Sequence, residues 1–95
     1  MAAIDQIINF YVSIKDDRRI TTSHISIYMA LFSYWNMNNG QNPVFINRNS
    51  IMKIAKINGL GTYHRCMKEL TEFGYIEYSP SYHPVLGSQV CLKQL

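Results

Sequence analysis

The sequence predicts a mostly α-helical chain with a small antiparallel β-hairpin, in the order helix, helix, strand, helix, helix, strand, strand. Three observations predict it. Apolar residues recur at helical spacing in four segments, 4–15, 22–38, 47–57 and 60–73. Alternation replaces that spacing in Tyr75-Ile76-Glu77-Tyr78 and again over 88–92, with Pro80, Pro84 and Gly87 marking a loop between them. The 95 residues, 47% of them apolar, suffice for one core and leave no room for a second, so a single domain over 1–95 is expected.

The first helix, 4–15, carries Ile4, Ile7, Ile8, Tyr11, Val12 and Ile14 as one stripe, with Asp5 in its first turn and Lys15 near its last. The stripe either packs on the next helix or forms the seam of a homodimer. Asp16-Asp17-Arg18-Arg19 reads as a solvated charged connection. Thr21, Thr22 and Ser23 offer caps for a second helix running to about Asn38. Its Ile25, Tyr28, Met29, Leu31, Phe32, Trp35 and Met37 lie around much of the circumference, as expected of the buried centre of a small domain. Asn38-Asn39-Gly40-Gln41-Asn42-Pro43 ends it. Val44-Phe45-Ile46 is too short to stand alone and is expected to pair with the later hairpin.

Asn47 caps a third helix that turns Ile51, Ile54 and Ala55 inward, and Asn58-Gly59 is expected to stop it at a pair tolerant of positive φ. The fourth helix starts between Leu60 and Thr62, buries Tyr63, Cys66, Met67, Leu70 and Phe73, and ends at Gly74. Two short helices across a glycine-containing turn, followed directly by a hairpin, form a winged helix-turn-helix, whose second motif helix is built to enter a DNA groove.

If Tyr63, Cys66, Met67 and Leu70 face in, about 100° per residue places Gly61, Arg65, Lys68 and Glu72 outward, with His64 and Glu69 flanking. Arg65 can reach a guanine edge or a phosphate through paired hydrogen bonds, or stand as a solvated charge. Lys68, a turn further on, suits a phosphate. Gly61 and Thr62 occupy the helix start, where free N–H groups bind a phosphate oxygen and a glycine permits close approach; they also serve as plain turn and cap residues. Arg48, Asn49 and Ser50 open the preceding helix, which crosses the DNA backbone in this architecture, and Lys53 and Lys56 follow on it. Five cations against Glu69 and Glu72 in this stretch make an electrostatic footprint, although the whole chain carries only +3. In the wing loop, which has no lysine or arginine, Tyr82 and His83 are the side chains with reach.

The run ISIYMALFSYWNMNNG, followed by INRNSIMKIAKINGLGTYHRCMKELTEFGYIEYSPSYHP, resembles small winged-helix proteins of Bacteroidetes genomes, often found near mobile elements. The likeness spans roughly 20 to 92. The portion TYHRCMKEL, ending in Gly74-Tyr75-Ile76, is similar to a broader winged-helix pattern that includes multidrug-resistance-type regulators and the N-terminal domains of some replication initiators. The resemblance implies that Leu60 through Lys68 form the recognition surface. Gly59 and Gly61 stand where serine-type residues are more usual, and the wing tip is not basic.

Taken together, these features lead us to expect a non-enzymatic, sequence-specific protein that binds double-stranded DNA, as a transcriptional regulator or mobile-element accessory factor. The alternative is a winged helix used for protein–protein contact in a replication or conjugation complex. A small-molecule sensor would need a pocket that no motif indicates. There is no phosphate-binding glycine loop or nucleophile elbow, and no histidine with a suitably spaced carboxylate. Cys66 and Cys91 lack metal-ligand spacing and read as packed thiols, so neither a cofactor nor a metal is expected. The absence of a signal peptide or a run of ~20 apolar residues points to a cytoplasmic, nucleoid-associated protein rather than a membrane partner.

Overall fold

The computed structural model describes residues 2–81 and 87–95. Tyr82 and His83 lie outside the described residues. Four helices and a three-stranded antiparallel sheet follow the expected order: α1 (Ala2–Ile14), α2 (Thr22–Met37), β1 (Val44–Ile46), α3 (Arg48–Ala55), α4 (Leu60–Glu72), β2 (Ile76–Ser79) and β3 (Ser88–Leu92).

The central helix, α2, packs against α3, α4, β1 and β3. It begins at Thr21, whose hydroxyl accepts from the His24 amide while the His24 ring accepts from the Thr21 amide. A histidine thus closes a reciprocal cap usually made by Glu or Gln. His24, Ile27, Tyr28, Ala30, Leu31 and Trp35 are buried, whereas Met37 at the helix end is 71% exposed. Positive φ at Asn39 and Gly40 turns the chain away.

In the sheet β3 is central. Val44 faces Val90 on one side of it, and Tyr78 faces Val90 on the other. Three residues of β1 are therefore enough, because the hairpin supplies the ladder. Asn42 extends the pairing with its side chain, accepting from the Leu92 N–H (3.0 Å) and donating to the Leu92 carbonyl (3.1 Å). Val90 and Leu92 are buried and Cys91 only half-buried, so the expectation that Cys91 packs inward is corrected by the strand's alternation.

The largest correction concerns α1. Its buried face is Gln6 and Phe10, with Ala3 and Ile14 partly buried beside them. Four of the six residues of the expected stripe face out: Ile4 is 56% exposed, Ile8 52%, Tyr11 47% and Val12 67%, while Ile7 and Ile14 are partly buried. Phe10 stacks on Tyr28 with ring centroids 3.7 Å apart and planes 5° from parallel, and meets Tyr75 edge-on. Gln6 is admitted to the interior because its amide donates to the Tyr28 hydroxyl (2.8 Å) and the Lys93 carbonyl (2.9 Å). A hydrophobic count alone treats Gln6 as outward and tips the stripe onto the wrong side.

Other boundaries move as well. Helix α3 ends at Ala55, two residues early, and the residue with positive φ is Lys56 (62°), not Asn58 or Gly59. Gly59 instead precedes α4 with ordinary extended backbone. Helix α3 buries Ile51 and Ala55, and Ile54 is 49% exposed, contrary to the inward reading. Phe73 is only partly buried, just past α4, with the Arg19 guanidinium 4.1 Å above its ring. Lys15 lies beyond α1.

Asp17 is not merely a solvated loop charge. It accepts from Arg19 Nε and Nη2 (2.8 Å each) and from the Tyr75 hydroxyl (2.7 Å), tying the α1–α2 connection to the start of β2. Arg19, then Tyr75, hold its carboxyl well below the usual carboxylate range. Burial, then Asp17, push the Tyr75 phenol up to about 12. A depressed carboxylate stabilises the fold above its unfolded value, here near 3.8, and that contribution is lost as pH falls through the folded value. Asp17→Asn is therefore expected to flatten the acid limb of a plot of urea midpoint against pH. An unchanged limb would mean that the clasp does not contribute to stability.

Candidate nucleic-acid interface

Helix α4 presents two faces of opposite character. Tyr63, Cys66, Met67 and Leu70 are buried, as their spacing requires, and His64, Arg65, Lys68 and Glu72 are exposed. Arg65 is 60% exposed on its side chain, with Nε 3.5 Å from Glu69 Oε1; Lys68 lies 3.9 Å from Glu72. Ion pairs of this kind between exposed groups one turn apart contribute only a few tenths of a kcal/mol. Both cations can exchange their carboxylates for another anion at little cost.

The start of α4 carries no side-chain cap, so Thr62, half-buried, does not serve as the capping hydroxyl. A Cβ added at Gly61 would meet nothing within 4 Å. Packing within the chain therefore gives no reason for a glycine there. Leu60, next to it, is 46% exposed.

Beside α4, a cleft of about 450 Å³ runs between the start of α3 and the edge of the β2–β3 pair. Asn47, Arg48 and Asn49 form one wall, His64 comes from α4, and Tyr78 and Ser81 come from the strand side. Three expected contact residues, Arg48 and Asn49 from α3 and His64 from α4, are thus gathered in one concavity. The Asn47 side chain accepts from the Ser50 amide (3.2 Å), and Ser50 is half-buried. The Tyr63 phenol, buried, is pushed well above its ordinary value by burial and then by Tyr78, with Arg48 pulling the other way. Lys53 and Lys56 are exposed further along and just beyond α3.

One arrangement was not legible in the sequence. His24, almost fully buried, faces Glu69 with Nε2 3.1 Å from Oε1. The two residues are 45 positions apart, so the expectation of no histidine–carboxylate pair is corrected by tertiary packing of α2 on α4. The Thr21 amide donates to His24 Nδ1 (2.9 Å), which places the ring proton on Nε2, aimed at Glu69. The Cys66 thiol lies in the same cluster. Burial pushes it up, and Arg65 beside it pulls it down.

No protein-family model, curated protein or solved structure matches the chain. Among the described residues no helix is long and apolar enough to cross a membrane.

Proposed function

We propose that this is a sequence-specific DNA-binding protein of winged-helix type, acting as a transcriptional regulator or mobile-element accessory factor. The observation that carries this reading is the gathering of Arg48, Asn49 and His64 in one cleft alongside the outward Arg65 and Lys68 of α4. An α-helix with its side chains is about 10–12 Å across and fits a major groove about 12 Å wide. With α4 in the groove, Arg65 reads a base edge, Lys68 and Arg48 hold phosphates, and the uncapped start of α4 brings its free N–H groups to the backbone. Gly61 keeps that approach clear. Lys53 and Lys56 add attraction at longer range.

The exposed stripe of α1 supports a second copy of the chain as partner. Ile4, Ile8 and Tyr11 follow the four-then-three spacing of a helix–helix seam. An antiparallel pair centred on Ile8 would set Ile4 against Val12 of the other copy, so the surface complements itself. Such a dimer would present two α4 helices to two half-sites.

The test is selection of random duplexes by the purified protein, with Arg65→Ala and Gly61→Ala as comparisons. Arg65→Ala is expected to weaken the selected site by about 1–3 kcal/mol and relax one base position. Gly61→Ala is expected to weaken binding while leaving the fold at least as stable, because alanine favours helix. Absence of both an enriched motif and salt-dependent affinity for any duplex would remove the DNA reading. The exposed α1 stripe would then favour the winged helix as a protein–protein contact module.

A further inference from the structure

The cluster of His24, Cys66 and Glu69 has a composition that the hydrogen-bonded pair alone does not explain. His24 Nε2, Cys66 Sγ and a Glu69 carboxylate oxygen all lie within 4.8 Å of one another, with His24 and Cys66 buried and Glu69 half-buried. We propose that these three side chains form a binding site for a borderline-soft divalent cation of the zinc type, with solvent supplying the fourth ligand.

The donor set is one that zinc accepts, imidazole nitrogen, thiolate and carboxylate, with three protein ligands and one open position. Bonds of about 2.0–2.3 Å in a tetrahedron place ligand atoms about 3.3–3.7 Å apart. The His24–Glu69 separation is already 3.1 Å, and no separation in the cluster exceeds 4.8 Å, so shifts of about an ångström complete the geometry. Glu69, 31% exposed on its side chain, opens the site to solvent. The outer arrangement is present too. Metal binding moves the ring proton from Nε2 to Nδ1, so the Thr21 amide gives up its bond to Nδ1 and Thr21 Oγ1, 2.8 Å away, becomes the acceptor. The thiol proton leaves to solvent on binding. Arg65 is the group that opposes the ion, since its guanidinium lies against both Glu69 and Cys66, and it must swing outward when Glu69 becomes a ligand. If α4 reads DNA as proposed above, occupation of the site releases Arg65 for contact; that consequence rests on the DNA reading, whereas the site does not.

The experiment is a cobalt(II) titration of the full, reduced chain without DNA, followed by displacement with zinc. One ion per chain is expected, with a thiolate-to-cobalt charge-transfer band and the visible bands of four-coordinate cobalt. Both should vanish in Cys66→Ser and persist in Cys91→Ser. Glu69→Gln should weaken cobalt binding at least about tenfold, since losing a direct ligand costs no less than losing a partner behind one. Cys66 is fully buried, so if Cys66→Ser fails to fold, Glu69→Gln, checked by circular dichroism, decides. No thiolate band in the unaltered chain, a band that survives Cys66→Ser, or cobalt affinity unchanged in folded Glu69→Gln would each overturn the site.

Discussion

Phe10→Ala is expected to destabilise the protein by about 3–5 kcal/mol, the range for truncating a buried aromatic side chain. For a chain of 95 residues whose total stability is on the order of 5–14 kcal/mol, that is about a fifth of the margin or more. The reason is local and specific. Phe10 is fully buried, stacked on Tyr28 and edge-on to Tyr75, so its loss leaves a cavity at the junction of α1, α2 and the residue leading into β2. The same helix supplies the comparison. Ile8, 52% exposed, should cost no more than about 0.5 kcal/mol when changed to alanine in the monomer. Urea unfolding followed by circular dichroism measures both. Equal losses would show that α1 buries its other face. Ile8→Asp extends the comparison to assembly: if two copies pair through α1, sedimentation should report a monomer for this variant and a dimer for the parent.

Gly87→Ala is expected to cost about 2–5 kcal/mol, combining a left-handed backbone with an overpacked contact. Gly87 has φ 73°, and a Cβ there would lie 2.5 Å from the Ile46 carbonyl oxygen. Neither neighbour can yield easily, because Ile46 pairs with Ser88 at the next position of the ladder. The variant must either open the β1–β3 pairing or push the hairpin off it. Gly87 and Ser88 also line the cleft beside Arg48, so under the proposed DNA reading affinity should fall along with stability. Gly61→Ala is the contrasting case: stability is kept and only binding falls. A Gly87→Ala protein with a parental urea midpoint would contradict the close approach of the two strands.

What sequence spacing determined by itself is the order of elements and the two-faced character of α4. Tyr63, Cys66, Met67 and Leu70 are buried and Arg65 and Lys68 exposed because the helical repeat and the contrast between apolar and charged groups leave one orientation available. The Asn47 cap was legible because it joins residues within one turn, and the 76–79 and 88–92 strands because their alternation and the turn residues between them mark a hairpin. The buried face of α1 was not legible, because stacking on Tyr28 together with a buried bond from Gln6 decided it. The αL turn at Lys56 was hidden likewise. The α3 ending is held partly by the Ser26 hydroxyl donating to the Ala55 carbonyl, a bond from α2 that local propensity does not contain. Of the candidate site, the outward cations could be read directly, but the gathering of Arg48, Asn49 and His64 into one cleft could not, nor could the His24–Cys66–Glu69 cluster. Those groups are brought together only when α2, α3, α4 and the hairpin pack on a common core. Burial energy sets that arrangement, and it depends on which surfaces fit rather than on which residues are neighbours in the chain.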